Sequence, residues 1–155
     1  MNPITAPAVK QERYTETLDG AVESALWSTI PTIAEDDDSM IEPAGQYEIT
    51  DEEKMKLRGT LAFYIKDWFN ENYDLLVEAV ETVLIDWESV GHDFWLTSQG
   101  HGAGFWDRGL GELGDKLTDS CDGHSDIVSF YLTEDYTHVL VETHNVTDFT
   151  DNLTL

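Results

Sequence analysis

Two consecutive apolar stripes between Thr50 and Ser89 restrict what this chain can become. Leu57, Leu61, Tyr64, Ile65 and Trp68 recur at helical spacing, so a helix should run to about Phe69. Its start is marked by Thr50-Asp51-Glu52-Glu53, which has the spacing of a capping box and places acids at the positive end of the helix dipole. Asn70 and Asn72 suggest a break, after which Tyr73, Leu76, Val77, Val80, Val83, Leu84 and Trp87 form a second stripe to about Ser89. Faces this apolar must be buried, and these are the largest in the chain. They should supply the core on which everything else lies.

The stretch Gly91–Leu113, GHDFWLTSQGHGAGFWDRGLGEL, is the next constraint. It contains the pairs Phe94–Trp95 and Phe105–Trp106 around a centre holding Gly100, His101, Gly102 and Gly104, with Asp107 after it. Glycines interrupt a helix and permit a tight reversal, so the spacing predicts a hairpin with strands Asp93–Ser98 and Ala103–Asp107. The aromatics then pack across the strands, His101 sits at the tip, and Asp107 caps the next helix or pairs with Arg108.

Around these, Leu18, Val22, Ala25 and Leu26 predict a short helix over about 18–29, stopped by Pro31, with Trp27 at the core edge. Glu35-Asp36-Asp37-Asp38 opens a solvent-facing loop that lasts to Ile49. Leu110, Leu113 and Leu117 predict a helix from Arg108 to about Ser120 despite three glycines. The β-branched and aromatic runs Ile127–Leu132 and Tyr136–Glu142 predict a second hairpin. With 155 residues and 41% hydrophobic content the chain can bury one core. The expected architecture is a single α+β domain over 14–142, with N-terminal helices packed on a small antiparallel sheet of two hairpins and a helix between them. Residues 1–13 are expected to be a flexible arm and 143–155 a frayed polar tail.

Charge bounds the partners. Eight Lys+Arg against 32 Asp+Glu give a formal charge of −24, whose self-repulsion opposes folding. This excludes nucleic acid and anionic membrane as direct partners and favours a basic protein surface. No apolar run approaches the roughly 18 residues that cross a bilayer, and the opening MNPITAPAVKQERY lacks the apolar centre of a signal peptide. A cytosolic location is expected. The single Cys121 forms no internal disulfide and reads as a small packing residue. The N-x-T matches at Asn145 and Asn152 carry no weight in a cytosolic chain.

Within the acidic total, Asp67, Glu71, Asp74, Glu78, Glu81 and Glu88 follow one another at intervals of four, three, four, three and seven, near one edge of a helix. Like charges at such spacing destabilise it by a few tenths of a kcal/mol per pair. Successive carboxylates lie roughly 5–6 Å apart along the axis, comparable with phosphate spacing along a nucleic-acid strand. This row, with Glu35, Asp36, Asp37 and Asp38, is the expected partner-binding surface. The bland reading is a solvated face that keeps an acidic protein in solution.

WSTI…EDDD, the DFWLT–x–x–GHGAGFWD–RGLGELGD–LT run and the closing short-strand hairpin resemble a group of small, uncharacterised proteins encoded by bacteriophages. The likeness covers roughly Ala21 to Glu142, and GHGAGFWD is its specific part. Ser98-Gln99 and Thr133-Glu134-Asp135 depart from the pattern, which usually has Arg-Asn and a turn glycine there. The resemblance implies an early or accessory gene product in the cytoplasm of a host bacterium, and carries over no catalytic residue or cofactor.

The leading expectation is a non-catalytic DNA mimic that inhibits a basic host DNA-binding enzyme of the restriction, CRISPR or repair type. Dimerisation would extend its acidic surface, although no heptad or exposed apolar patch specifies it. One alternative is an acidic binding module adapted to high salt, which should unfold in low salt. The other is a metal or small-ligand site built from His92, Asp93, His101, Asp107 and His124, residue types that bind zinc or carry protons. Their spacing matches neither HExxH nor another tight metal pattern, and GxSxG and P-loop motifs are missing.

Overall fold

The computed structural model describes residues 6–33, 41–124, 127–143, 146 and 148–155. Among these residues, five helices, α1 Pro7–Ser28, α2 Asp51–Glu71, α3 Tyr73–Val83, α4 Trp87–Ser98 and α5 Glu112–Ser120, precede one antiparallel hairpin, β1 Val128–Leu132 and β2 Val139–Thr143. The chain is thus α+β and helix-rich, as the stripes imply. The second hairpin lies where the alternation of 127–142 puts it, with Phe130 opposite Val141.

The segment 91–107 does not form a hairpin. Asp86 caps a helix by accepting from the Ser89 N–H at 2.8 Å, and Trp87, Val90, Gly91, Phe94, Trp95 and Ser98 form its buried face. The adjacent aromatics, taken as strand alternation, instead occupy neighbouring positions of one wide helical stripe. The glycines act at the end of this helix. Gly100, with φ 72°, terminates α4 in a Schellman arrangement, its N–H bonding to the Thr97 carbonyl and that of His101 to Leu96. A 3-10 turn over Phe105–Asp107 then brings Phe105 back into the core, where it is fully buried.

The second apolar stripe is likewise divided. α3 stops at Val83 and Leu84 adopts a left-handed conformation, φ 55°, before α4 begins. α5 starts at Glu112 rather than Arg108, since Gly109 and Gly111 both have positive φ and precede the helix.

The first helix is much longer than the sequence suggests. It begins at Pro7, a residue suited to the first helical turn, and it includes residues 7–13 of the supposed arm. Tyr14, Thr17, Leu18, Ala21, Ser24 and Ala25 are its buried stripe. Small polar and small apolar residues dominate, so hydropathy alone understates it. Trp27 is 66% exposed and does not belong to the core edge. Described residues of the supposed tail are docked rather than frayed. The buried Tyr14 hydroxyl donates to the Asn152 carbonyl at 2.6 Å. The Gln11 side chain donates to Leu153 O and accepts from Leu155 N, as a paired strand would.

The connection before α2 flanks the sheet on both sides. Thr32 pairs in parallel with Tyr131 at one edge and Glu48 with His138 at the other. The remaining edge of β2 is closed by a side chain: Glu53 Oε2 accepts from the buried Val141 N–H at 2.6 Å, while Oε1 accepts from Lys56 at 3.0 Å. Glu53→Ala should therefore leave a buried donor unmet and destabilise the protein by about 1–3 kcal/mol, read as a lower urea midpoint. A midpoint equal to wild type would show that water replaces the carboxylate freely.

Candidate functional site

Asp67 and Glu71 lie on the last two turns of α2, Asp74, Glu78 and Glu81 on α3, and Glu88 on the first turn of α4, and all six are exposed. They do not form one row. The breaks at Asn72 and at Leu84–Asp86 distribute them over three helices, so the continuous ladder expected from their spacing is interrupted twice. Asp74, Glu78 and Glu81 retain a common face within α3. Glu35, Asp36, Asp37 and Asp38 lie outside the described residues.

The acids of α3 and α4 occupy a stretch, 73–107, with no lysine or arginine of its own. Two cations from α1 approach it, and both are engaged with aromatic rings. Lys10 Nζ lies 4.8 Å from the Tyr73 ring centroid. Arg13 lies 5.2 Å from a Trp87 ring and donates to the Tyr73 hydroxyl at 3.0 Å.

A second group of acids stands on α1, and of these only Glu12 falls within residues 1–13. Glu12, Glu16 and Asp19 of α1 face Asp86 and Glu88 across the α1–α4 seam. The Glu16 carboxyl is pushed above its usual range by partial burial and by these four neighbours. Asp19 is tied to Arg58 at 2.5 Å, and Glu23 lies 3.8 Å from His92 Nε2. Asp86 is held below its usual range by accepting from the N–H and hydroxyl of Ser89. Glu12 and Glu16 join this group because α1 starts at Pro7 rather than near Leu18.

The central aromatic segment is structural. Phe94, Trp95 and Phe105 are buried, with Trp68 sandwiched against Phe94 at 4.6 Å and Phe105 at 6.0 Å. Trp106 is instead 53% exposed. His101 and Gly102 are exposed, and Gly104 is buried. Asp107 neither caps α5 nor pairs with Arg108; its carboxylate accepts from the Gly104 N–H. Arg108 reaches back to Asp93, donating from Nε at 2.9 Å and Nη2 at 2.8 Å.

The histidines are dispersed. His92 approaches Glu23, His101 is exposed, and His124 lies edge-on to Phe94. Among the described residues no three His, Cys, Asp or Glu side chains are close enough together to share a metal ion. Cys121 is buried, with its thiol pushed up to about 12 by burial, which suits a packing residue better than a nucleophile. No described helix is long and apolar enough to cross a membrane. Comparison with protein-family models, curated proteins and solved structures finds no match.

Proposed function

We propose that this chain is a non-catalytic inhibitor whose exposed carboxylates occupy the DNA-binding surface of a basic host enzyme. The observation that carries the reading is the set of six exposed carboxylates on the end of α2, on α3 and on the start of α4. Between Tyr73 and Asp107 no lysine or arginine is interspersed. A merely solubilising face mixes both signs. Here the arrangement costs folding energy through like-charge repulsion, and a cationic partner would relieve that cost. The breaks at Asn72 and Leu84 divide the carboxylates over three helices, so the mimicry is not of one straight strand. The resemblance to phage-encoded proteins directs the search for the target to a bacterial cytoplasm, among restriction, CRISPR and repair enzymes.

The test is capture from host lysate at low salt, with a rising salt wash and competitor DNA. Recovery of one DNA-binding enzyme that DNA displaces supports the reading; a diffuse set of basic proteins released together would count against it. With the target in hand, Asp74→Asn, Glu78→Gln and Glu81→Gln combined should slow association and flatten its salt dependence. Affinity should weaken about tenfold or more. Unchanged binding by that variant removes α3 from the interface.

A further inference from the structure

A cavity of about 380 Å³ opens beside the acidic surface, between α2, the end of α5 and the C-terminal segment. Its size lies within the range of small-ligand pockets. Phe63, Asp67 and Glu71 form one wall at four-residue intervals along α2, with Tyr64 and Trp68 beside them. Ser120, His124 and Asn152 close the other side, and among the described residues no lysine or arginine lines it.

The wall is built as well as charged. Trp68 is pinned by its Nε1–H donating to Ser120 Oγ at 2.8 Å, and Ser120 is itself anchored by donating to the Leu117 carbonyl. The Asn152 side is fixed by the bond from Tyr14 to its carbonyl. Phe63 is 45% exposed despite its size and stands edge-on to Tyr64 at 5.0 Å. An aromatic surface next to two exposed carboxylates is suited to a delocalised cation. The rings attract it through their quadrupoles, the carboxylates through charge-assisted hydrogen bonds, and a flat guanidinium satisfies both better than an ammonium does.

We propose that this cavity receives the guanidinium of an arginine side chain of the partner. The inference rests on the reading of the chain as a binder of a basic protein and names the chemistry of one contact. Arginine seated here would anchor the complex in a pocket, where binding energy concentrates, while the α3 carboxylates steer the approach.

The experiment needs no partner, so its failure is distinguishable from failure of the inhibitor reading. The chain is titrated with N-acetyl-arginine amide and with the neutral isostere N-acetyl-citrulline amide. Amide and indole resonances are followed by NMR. The expected result is saturable shifts confined to the Trp68 indole, Phe63 and Ser120, with citrulline at least about tenfold weaker. Asp67→Asn with Glu71→Gln should abolish the shifts, while Glu78→Gln with Glu81→Gln should leave them. All four positions are exposed, so the fold is retained. Equal binding of citrulline, indifference to the first pair, or shifts spread evenly over every acidic helix would overturn the assignment. Spermidine binding here more than about tenfold tighter than arginine would reassign the cavity to a free polyamine and overturn it equally.

Discussion

Alanine at Gly91 should lower the thermal midpoint by several degrees, although alanine is the better helix former. A solvent-facing glycine-to-alanine change within a helix gains roughly 0.5–1 kcal/mol. At Gly91 the added Cβ would stand 1.9 Å from the Thr17 carbonyl oxygen and 2.6 Å from the Ala21 nitrogen of α1. Across the same seam, a Cβ on Gly20 would stand 1.9 Å from the Glu88 carbonyl oxygen of α4. Each helix meets the other's main chain through a glycine, and neither obstacle is a side chain that can turn away. The helices would have to separate, opening the core that holds Leu18, Val90 and Phe94. We expect each single substitution to cost about 3 kcal/mol, the upper end of overpacking penalties. For a chain of this size that corresponds to about 6–12 °C. The double substitution should cost less than the sum, because the first already separates the helices. Gly102→Ala is the control: its Cβ meets nothing within 4 Å, and no change beyond about 0.5 kcal/mol is expected. A neutral or stabilising Gly91→Ala would mean that α1 and α4 do not cross this closely.

That seam also explains what could and could not be read from the chain. The helix over 51–71 was legible because its stripe is made of large apolar residues and its cap, Thr50 accepting from the Glu53 N–H, is a local signal. The closing hairpin was legible for the corresponding reason: β-branched and aromatic runs such as Val128–Leu132 and Val139–Thr143 are a signal of nearest neighbours only. The α1 stripe was truncated because close packing is achieved there by removing side chains, and Gly20, Ala21, Ser24 and Ala25 carry little hydropathy. The helical setting of Phe94–Trp95 is masked by the glycines at 100, 102 and 104, which do make a turn, but between a helix and a 3-10 turn. The Asp86-x-x-Ser89 cap was the available signal for α4. That cap also divides the acidic row, since a cap at Asp86 cannot lie inside a continuous helix. The exposed acids of α2, α3 and α4 are accordingly legible by residue, whereas their division over three helices and the acids of the first turns of α1 are not.

Removing Arg108 should be the most pH-dependent change in the protein. Asp93 is buried, with 1% of its side chain exposed, and its carboxylate is bonded at both oxygens by Arg108, whose own side chain is 37% exposed. Burial pushes the Asp93 carboxyl above its usual range, and the guanidinium pulls it back. Arg108→Ala leaves the burial and removes the compensation. An unpaired buried charge costs about 3–5 kcal/mol, and the half-exposed guanidinium places the expected loss toward roughly 2–3 kcal/mol at neutral pH. A carboxyl raised in the fold contributes stability that is fully present below its unfolded value, about 3.9, and is lost as pH rises through the folded value. The deficit of Arg108→Ala relative to wild type should therefore shrink as pH falls and Asp93 takes up a proton. Asp93→Asn in the Arg108→Ala background removes the titrating group, so the double variant should be more stable than Arg108→Ala at neutral pH and show no such convergence. Denaturant midpoints for the three proteins between about pH 4 and pH 8 decide it. A deficit that stays constant across that range would mean that Asp93 is not ionised in the fold, and that Arg108 acts through packing alone.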